Sequence, residues 1–105
     1  MIKKMYVATW YNLIEGKPKI TTSCFENQEY GRKFVQEEAE RVFKMKQEQY
    51  QDTELELMRF YNGARCVVNN QNKIICDGEY VTDDKRSILF EYNIEENWVS
   101  EEVIK

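Results

Sequence analysis

The stretch Asn27-Gln-Glu-Tyr-Gly-Arg-Lys-Phe-Val-Gln-Glu-Glu-Ala-Glu-Arg-Val-Phe-Lys-Met-Lys-Gln-Glu-Gln-Tyr50 decides the fold class, because no other part of the chain carries a comparable helical pattern. Asn27 suits the N-cap, where its side-chain oxygen can accept from a first-turn N–H, and Glu29 meets the positive end of the helix dipole. On a helical wheel Phe34, Val35, Ala39, Val42, Phe43, Met45 and Tyr50 share one side. Glu29, Lys33, Glu37, Glu40, Arg41, Lys44 and Glu48 share the other. Glu29–Lys33, Glu37–Arg41 and Glu40–Lys44 each set a carboxylate four residues ahead of a base, the favoured order for a helix ion pair. The charges therefore read as a solvated face, and the apolar stripe asks for a sheet to cover it.

On both sides of this helix the pattern is β. Residues 5–13 are β-branched and aromatic on both alternating sets, which suits a strand in mid-sheet or one covered on both faces. Glu15-Gly16-Lys17-Pro18 reads as a turn, and Ile20, Thr22 and Cys24 alternate with Lys19, Thr21 and Ser23 in the returning strand. Beyond the helix, Leu55 and Leu57 alternate with Glu54 and Glu56. Met58 and Phe60 then shift the phase, which predicts a bulge between Leu57 and Met58. Asn62-Gly63 is a hairpin signal, since both central positions of a type I′ turn need positive φ. Strands over 73–76 and 79–82 are expected around Asp77-Gly78. In the last strand Ile88, Phe90, Tyr92 and Ile94 alternate with Ser87, Leu89, Glu91 and Asn93, and are predicted to face Phe34, Val35, Val42 and Phe43. Residues 95–105, with Trp98, Val99 and Val103, are expected to form a short helix, an acidic tail being the alternative.

The predicted architecture is a single α+β domain over residues 1–105: an N-terminal β-hairpin, one long amphipathic helix, an antiparallel β-meander packed on the helix, and a short C-terminal helix. At 42% hydrophobic and 32% charged, the chain belongs with globular rather than disordered proteins. It has no run of about 18 apolar residues, so no membrane span is expected. Lys3 and Lys4 have no apolar segment behind them, so no secretory signal is read and a cytoplasmic location is expected. Cys24, Cys66 and Cys76 fit no zinc spacing and are expected to be reduced, buried thiols.

Absent residue types exclude several chemistries. Without histidine there is no serine-type triad and no imidazole metal site. Gly16, Gly31, Gly63 and Gly78 are isolated, so there is no phosphate loop, and Asp77-Gly78-Glu79 is too short for a calcium loop. The expectation is a non-enzymatic protein with no cofactor and no metal, acting through protein–protein contacts with a partner or as a homodimer.

Two surfaces are candidates for those contacts. A helix over 27–50 would span about 36 Å, whereas strands of ordinary length span roughly 20–27 Å. The helix is thus expected to overhang the sheet at Met45, Lys46 and Tyr50, unless the C-terminal segment with Trp98 covers that end. The second surface is acidic. Net charge is −4, with +3 in residues 1–22, −1 in 23–76 and −6 in 77–105. Asp83, Asp84, Glu95, Glu96, Glu101 and Glu102 would suit a partner with a basic surface. In that respect the chain resembles phage-encoded inhibitors such as anti-CRISPR proteins. The resemblance implies an acidic face that blocks a nucleic-acid enzyme.

A third reading starts from the hairpin. The strand-turn-strand ending at Phe25, followed by the helix opening at Asn27, is similar in outline to the arm-type DNA-binding modules of phage integrases. That resemblance implies DNA contact through Lys3, Lys4, Lys17 and Lys19 with Trp10 and Tyr11. The helix is charge-balanced and the remainder acidic, where counterion release needs a basic footprint. Nucleic acid is therefore not the expected partner.

Overall fold

The computed structural model describes residues 2–14, 17–69, 82 and 86–100. Their elements are β1 (Ile2–Ile14), β2 (Lys17–Phe25), α1 (Gln28–Gln49), β3 (Leu55–Phe60), β4 (Gly63–Val68) and β5 (Ile88–Ser100). The strands form one sheet in the order β2-β1-β5-β4-β3, every neighbouring pair antiparallel, with α1 laid on one face. This is the α+β fold that the pattern predicts. The strands expected over 73–76 and 79–82 fall outside the described residues, apart from Thr82.

α1 begins and ends close to the predicted limits. The Asn27 side chain accepts from the Tyr30 N–H at 2.9 Å, and the Tyr50 N–H closes the last turn on the Lys46 carbonyl. Its buried stripe is Gly31, Val35, Ala39, Val42 and Lys46. Val35, Ala39 and Val42 pack with Ala8, Ala64, Cys66, Phe90, Tyr92 and Ile94, while Phe34, Phe43 and Tyr50 flank this core half-buried. Each large apolar side chain so buried contributes about 1.5–3 kcal/mol. On the outer face Lys44 approaches Glu40 as predicted, but Arg41 turns to Glu38, one turn of different spacing, rather than to Glu37.

β1 takes the central place that its two-sided apolar pattern suggests, with β2 on one side and β5 on the other. Ile14 pairs with Lys17, so Pro18 stands inside β2 rather than in a turn. That is permitted because β2 is an edge strand. On the far side of the sheet β3 pairs with β4 in unbroken register from Leu55↔Val68 to Phe60↔Gly63. There is no bulge between Leu57 and Met58. Leu55 and Leu57 pack on the core, and Met58 and Phe60 take the opposite face, which also accepts apolar side chains. The irregularity lies instead between Cys66 and Val67, where β4 meets β5.

The largest departure is at the C-terminal end. Residues 95–100 are not helical but continue β5, which pairs with β1 from Asn12↔Phe90 to Ile2↔Ser100. At 13 residues, β1 and β5 each span about 43 Å, against about 33 Å for the 22 residues of α1. The helix therefore does not overhang the sheet. The β1–β5 ribbon overhangs the helix, and it does so at the helix N-terminus.

Candidate protein-binding interface

The ribbon and the helix end together make a concave corner. β2 leaves β1 at Tyr6↔Phe25, and β4 leaves β5 at Gly63↔Asn93, with one further bond from the Ile94 N–H to the Asn62 carbonyl. Beyond those points β1 and β5 pair only with each other among the described residues. Strand alternation sets Lys4, Tyr6, Ile94, Glu96 and Trp98 on the side facing α1, because Ala8, Tyr92 and Ile94 of that set lie in the core. The ribbon is the floor, and the first turns of α1 with Gln28 and Arg32 are the wall. Between them lies a cleft of about 220 Å³ lined by Tyr6, Gln28, Arg32, Asn62, Ile94, Glu95 and Glu96.

Arg32 is fixed at the rim. Its Nε donates to Asn62 Oδ1 at 3.3 Å, and its guanidinium lies 3.6 Å from the centre of the Tyr61 ring, a cation–π contact. Tyr61 itself is 74% exposed. It sits in the two-residue β3–β4 turn, whose central positions are Tyr61 and Asn62 rather than Asn62 and Gly63. The glycine is needed for a different reason than the turn rule supposes. A Cβ on Gly63 would stand 2.1 Å from the Tyr92 carbonyl oxygen, so only glycine lets β4 approach β5 here.

Two more exposed aromatics lie at this end of the molecule. Trp98 projects from the ribbon at 68% exposure, and Tyr30 lies in the first turn of α1 beside Phe25. Phe60, also exposed, points to the other face of the sheet, where Arg65 lies over its ring. On the floor Lys4 pairs with Glu96 at 2.9 Å, and that bond raises the Lys4 pKa. Glu95 accepts from the Asn93 amide at 3.2 Å. Lys3, on the other side of the ribbon, pairs with Glu26. The corner is thus aromatic at its rim and close to neutral at its floor.

The sequence-derived candidates divide. Glu95 and Glu96 enter the cleft. Met45 is exposed, with its sulfur accepting from Arg41. Tyr50 packs half-buried against the core. Lys46 is 4% exposed and its ammonium donates to the Leu13 carbonyl, so it offers nothing to a partner. Asp83, Asp84, Glu101 and Glu102 lie outside the described residues. Of the aromatics named for DNA contact, Trp10 stacks on Tyr92 at 4.3 Å on the helix side of the sheet. Tyr30, Arg32 and Tyr61 carry no functional signal in the sequence, although Tyr30 falls off the apolar stripe and Tyr61 precedes a turn signal, and Trp98 reads there as part of a C-terminal helix rather than as a binding residue.

Among the described residues no group of three or more acidic or thiol side chains comes together in a way that could hold a metal. No helix among them is long and apolar enough to cross a membrane. Comparison with protein-family models, curated proteins and solved structures finds no match for this chain.

Proposed function

We propose that this is a small binding module that acts through protein–protein contacts at the corner between α1 and the β1–β5 ribbon. The observation that carries the reading is the set of exposed aromatics, Tyr30, Tyr61 and Trp98, gathered at the end of the molecule that holds the concave corner, with Arg32 stacked on Tyr61. Tyr, Trp and Arg dominate the energetics of protein interfaces, because they bury much area for little lost rotamer freedom. With Lys4 neutralising Glu96, the floor favours a partner with mixed polar and apolar character over a strongly basic one. The free thiols Cys24 and Cys66 suit a reducing compartment, and we place the protein in the cytoplasm.

A photo-crosslinking amino acid introduced in the source cells tests this. Placed at Tyr61 or Trp98, it should yield the same discrete adduct, and Arg32→Ala should weaken that adduct. Placed at Lys44, on the solvated face of α1, it should yield none. Adducts at Lys44 with none at Tyr61 and Trp98 would move the interface elsewhere.

A further inference from the structure

The β3–β4 turn carries Asn62-Gly63, and no other asparagine of the chain precedes a glycine. An Asn-Gly pair deamidates readily, because a residue without Cβ lets its amide nitrogen come close to the asparagine side chain. The Gly63 nitrogen loses its proton and bonds to Cγ of Asn62, and the Cγ–Nδ2 bond breaks to release ammonia. Water then opens the five-membered imide at either carbonyl. One opening leaves an aspartyl residue, the other an isoaspartyl residue whose main chain runs through the former side chain. Water is the only co-reactant, and Asn62 is exposed to it. The fold also keeps the hazard in place. A Cβ at position 63 would stand 2.1 Å from the Tyr92 carbonyl oxygen, so the glycine has no substitute there.

The native turn restrains both partners of that reaction. Phe60↔Gly63 closes a two-residue hairpin, which makes it a hydrogen-bonded pair, so the Gly63 N–H points to the Phe60 carbonyl. Gln36 Nε2 ties the same two residues together, donating to the Phe60 carbonyl at 3.1 Å and to the Gly63 carbonyl at 2.9 Å. The Asn62 carbonyl accepts from the Ile94 N–H at 2.8 Å, and its Oδ1 accepts from Arg32 Nε at 3.3 Å. Losing the Gly63 proton gives up the hairpin bond, and folding the carboxamide back over Gly63 draws it from Arg32. We propose that Asn62 is a site of spontaneous deamidation, held in check by Arg32 and the hairpin bond, whose conversion loosens the root of the β1–β5 ribbon. The site is independent of what the corner binds. Either product sets a carboxylate beside Arg32 in place of a neutral amide. The isoaspartyl product also adds a methylene to the main chain and so displaces the carbonyl that Ile94 uses.

Peptide mass mapping of the chain aged in mildly alkaline buffer, with and without urea, tests this. In urea the Asn62-Gly63 peptide should convert faster than those holding Asn12, Asn27 or Asn93. In native buffer it should convert about tenfold more slowly or less, since the reaction follows the population of the opened turn. Arg32→Ala should speed conversion in native buffer, while hydrogen exchange at the Val35 and Ala39 amides stays that of wild type. In the isoaspartyl fraction the Ile94 amide should lose its protection, and in Asn62→Asp it should keep it. Equal rates in urea and native buffer overturn the proposal, as does an Asn62 that outlasts the other asparagines in urea. An unchanged rate in Arg32→Ala, or an acceleration matched by faster exchange at Val35 and Ala39, removes Arg32 from the gate and overturns it too. Full protection of Ile94 in the isoaspartyl fraction overturns the loosening of the ribbon.

Discussion

Lys46 lies in the apolar stripe of α1, where a charged side chain is costly unless it finds a partner. Its partner is set by the sheet. The β1–β5 ladder ends at Asn12↔Phe90, so the next carbonyl of β1, that of Leu13, has no β5 donor, and the Lys46 ammonium supplies one. A sequence pattern shows Lys46 only as a base among apolar residues, and its burial depends on where a ladder 33 residues away runs out. Burial lowers the Lys46 pKa, and it pushes the neighbouring Cys66 thiol up to about 12 and the Tyr92 hydroxyl upward. The consequences for stability have opposite signs. Between its lowered value and 10.5 Lys46 is deprotonated in the folded chain but charged in the unfolded one, so stability rises with pH. From pH 9.0 to about 12 Cys66 keeps its proton only in the folded chain, so stability falls with pH by up to about 1.4 kcal/mol per pH unit. Tyr92 acts in the same direction as Cys66 above its ordinary value of 10.0. In wild type the Lys46 effect opposes the Cys66 effect below pH 10.5, and above it only the destabilising one remains. In Lys46→Met nothing opposes the Cys66 decline, so stability should fall more steeply between pH 9 and 10.5 than in wild type. Urea titrations from pH 8 to 11 read this directly, and identical slopes in the two proteins would refute it. Glycine gives a simpler contrast. Gly63→Ala forces a Cβ onto the Tyr92 carbonyl and should cost about 1–3 kcal/mol or more. At Gly31 the obstacle is the mobile end of Ile94, and helix propensity favours alanine by about 1 kcal/mol, so Gly31→Ala should be near neutral. Thermal melts of the two variants should separate them clearly.

At the level of elements, the helix was legible because cap, stripe and ion-pair spacing all agree over 22 residues. The first half of β5 was legible for the same reason. Phe90, Tyr92 and Ile94 do face the core, each under 4% exposed. Phe90→Ala should cost about 3–5 kcal/mol as a large-to-small core change. Glu91 lies on the other face but is not idle, since it accepts from Arg65 Nε at 2.5 Å in a half-buried pair. Glu91→Ala should therefore cost about 1 kcal/mol, well below Phe90→Ala in the same denaturant titration. A reversed order would mean that the register of β5 is wrong by one residue. The second half of β5 was not legible. Glu95, Glu96 and the spacing of Trp98 and Val99 favour a helix locally, and the long-range ladder with β1 overrides that preference. Met58 and Phe60 misled for a related reason. Alternation signals one buried face, and this sheet places apolar side chains on both.

At the level of the whole molecule, the projecting ribbon makes the shape long. The principal extents are 48 × 24 × 23 Å, and the radius of gyration is 14.9 Å, against about 13 Å for a compact chain of this length. The candidate surface therefore lies where local pattern carries least warning. Exposed Tyr30, Tyr61 and Trp98 come from three elements that only the antiparallel topology brings to one end. The acidic excess of residues 77–105 was plain in the sequence, yet Glu96 is matched by Lys4, 92 positions earlier in the chain. The corner exists only if β5 continues as a strand to Ser100. Nuclear Overhauser contacts between Hα protons report this most directly, because non-hydrogen-bonded antiparallel pairs bring Cα atoms to about 4.5 Å. Strong Hα–Hα cross-peaks are expected for Lys4 with Trp98 and for Tyr6 with Glu96. Their absence, together with sequential amide contacts typical of a helix over residues 95–100, would contradict the strand and remove the floor of the binding corner.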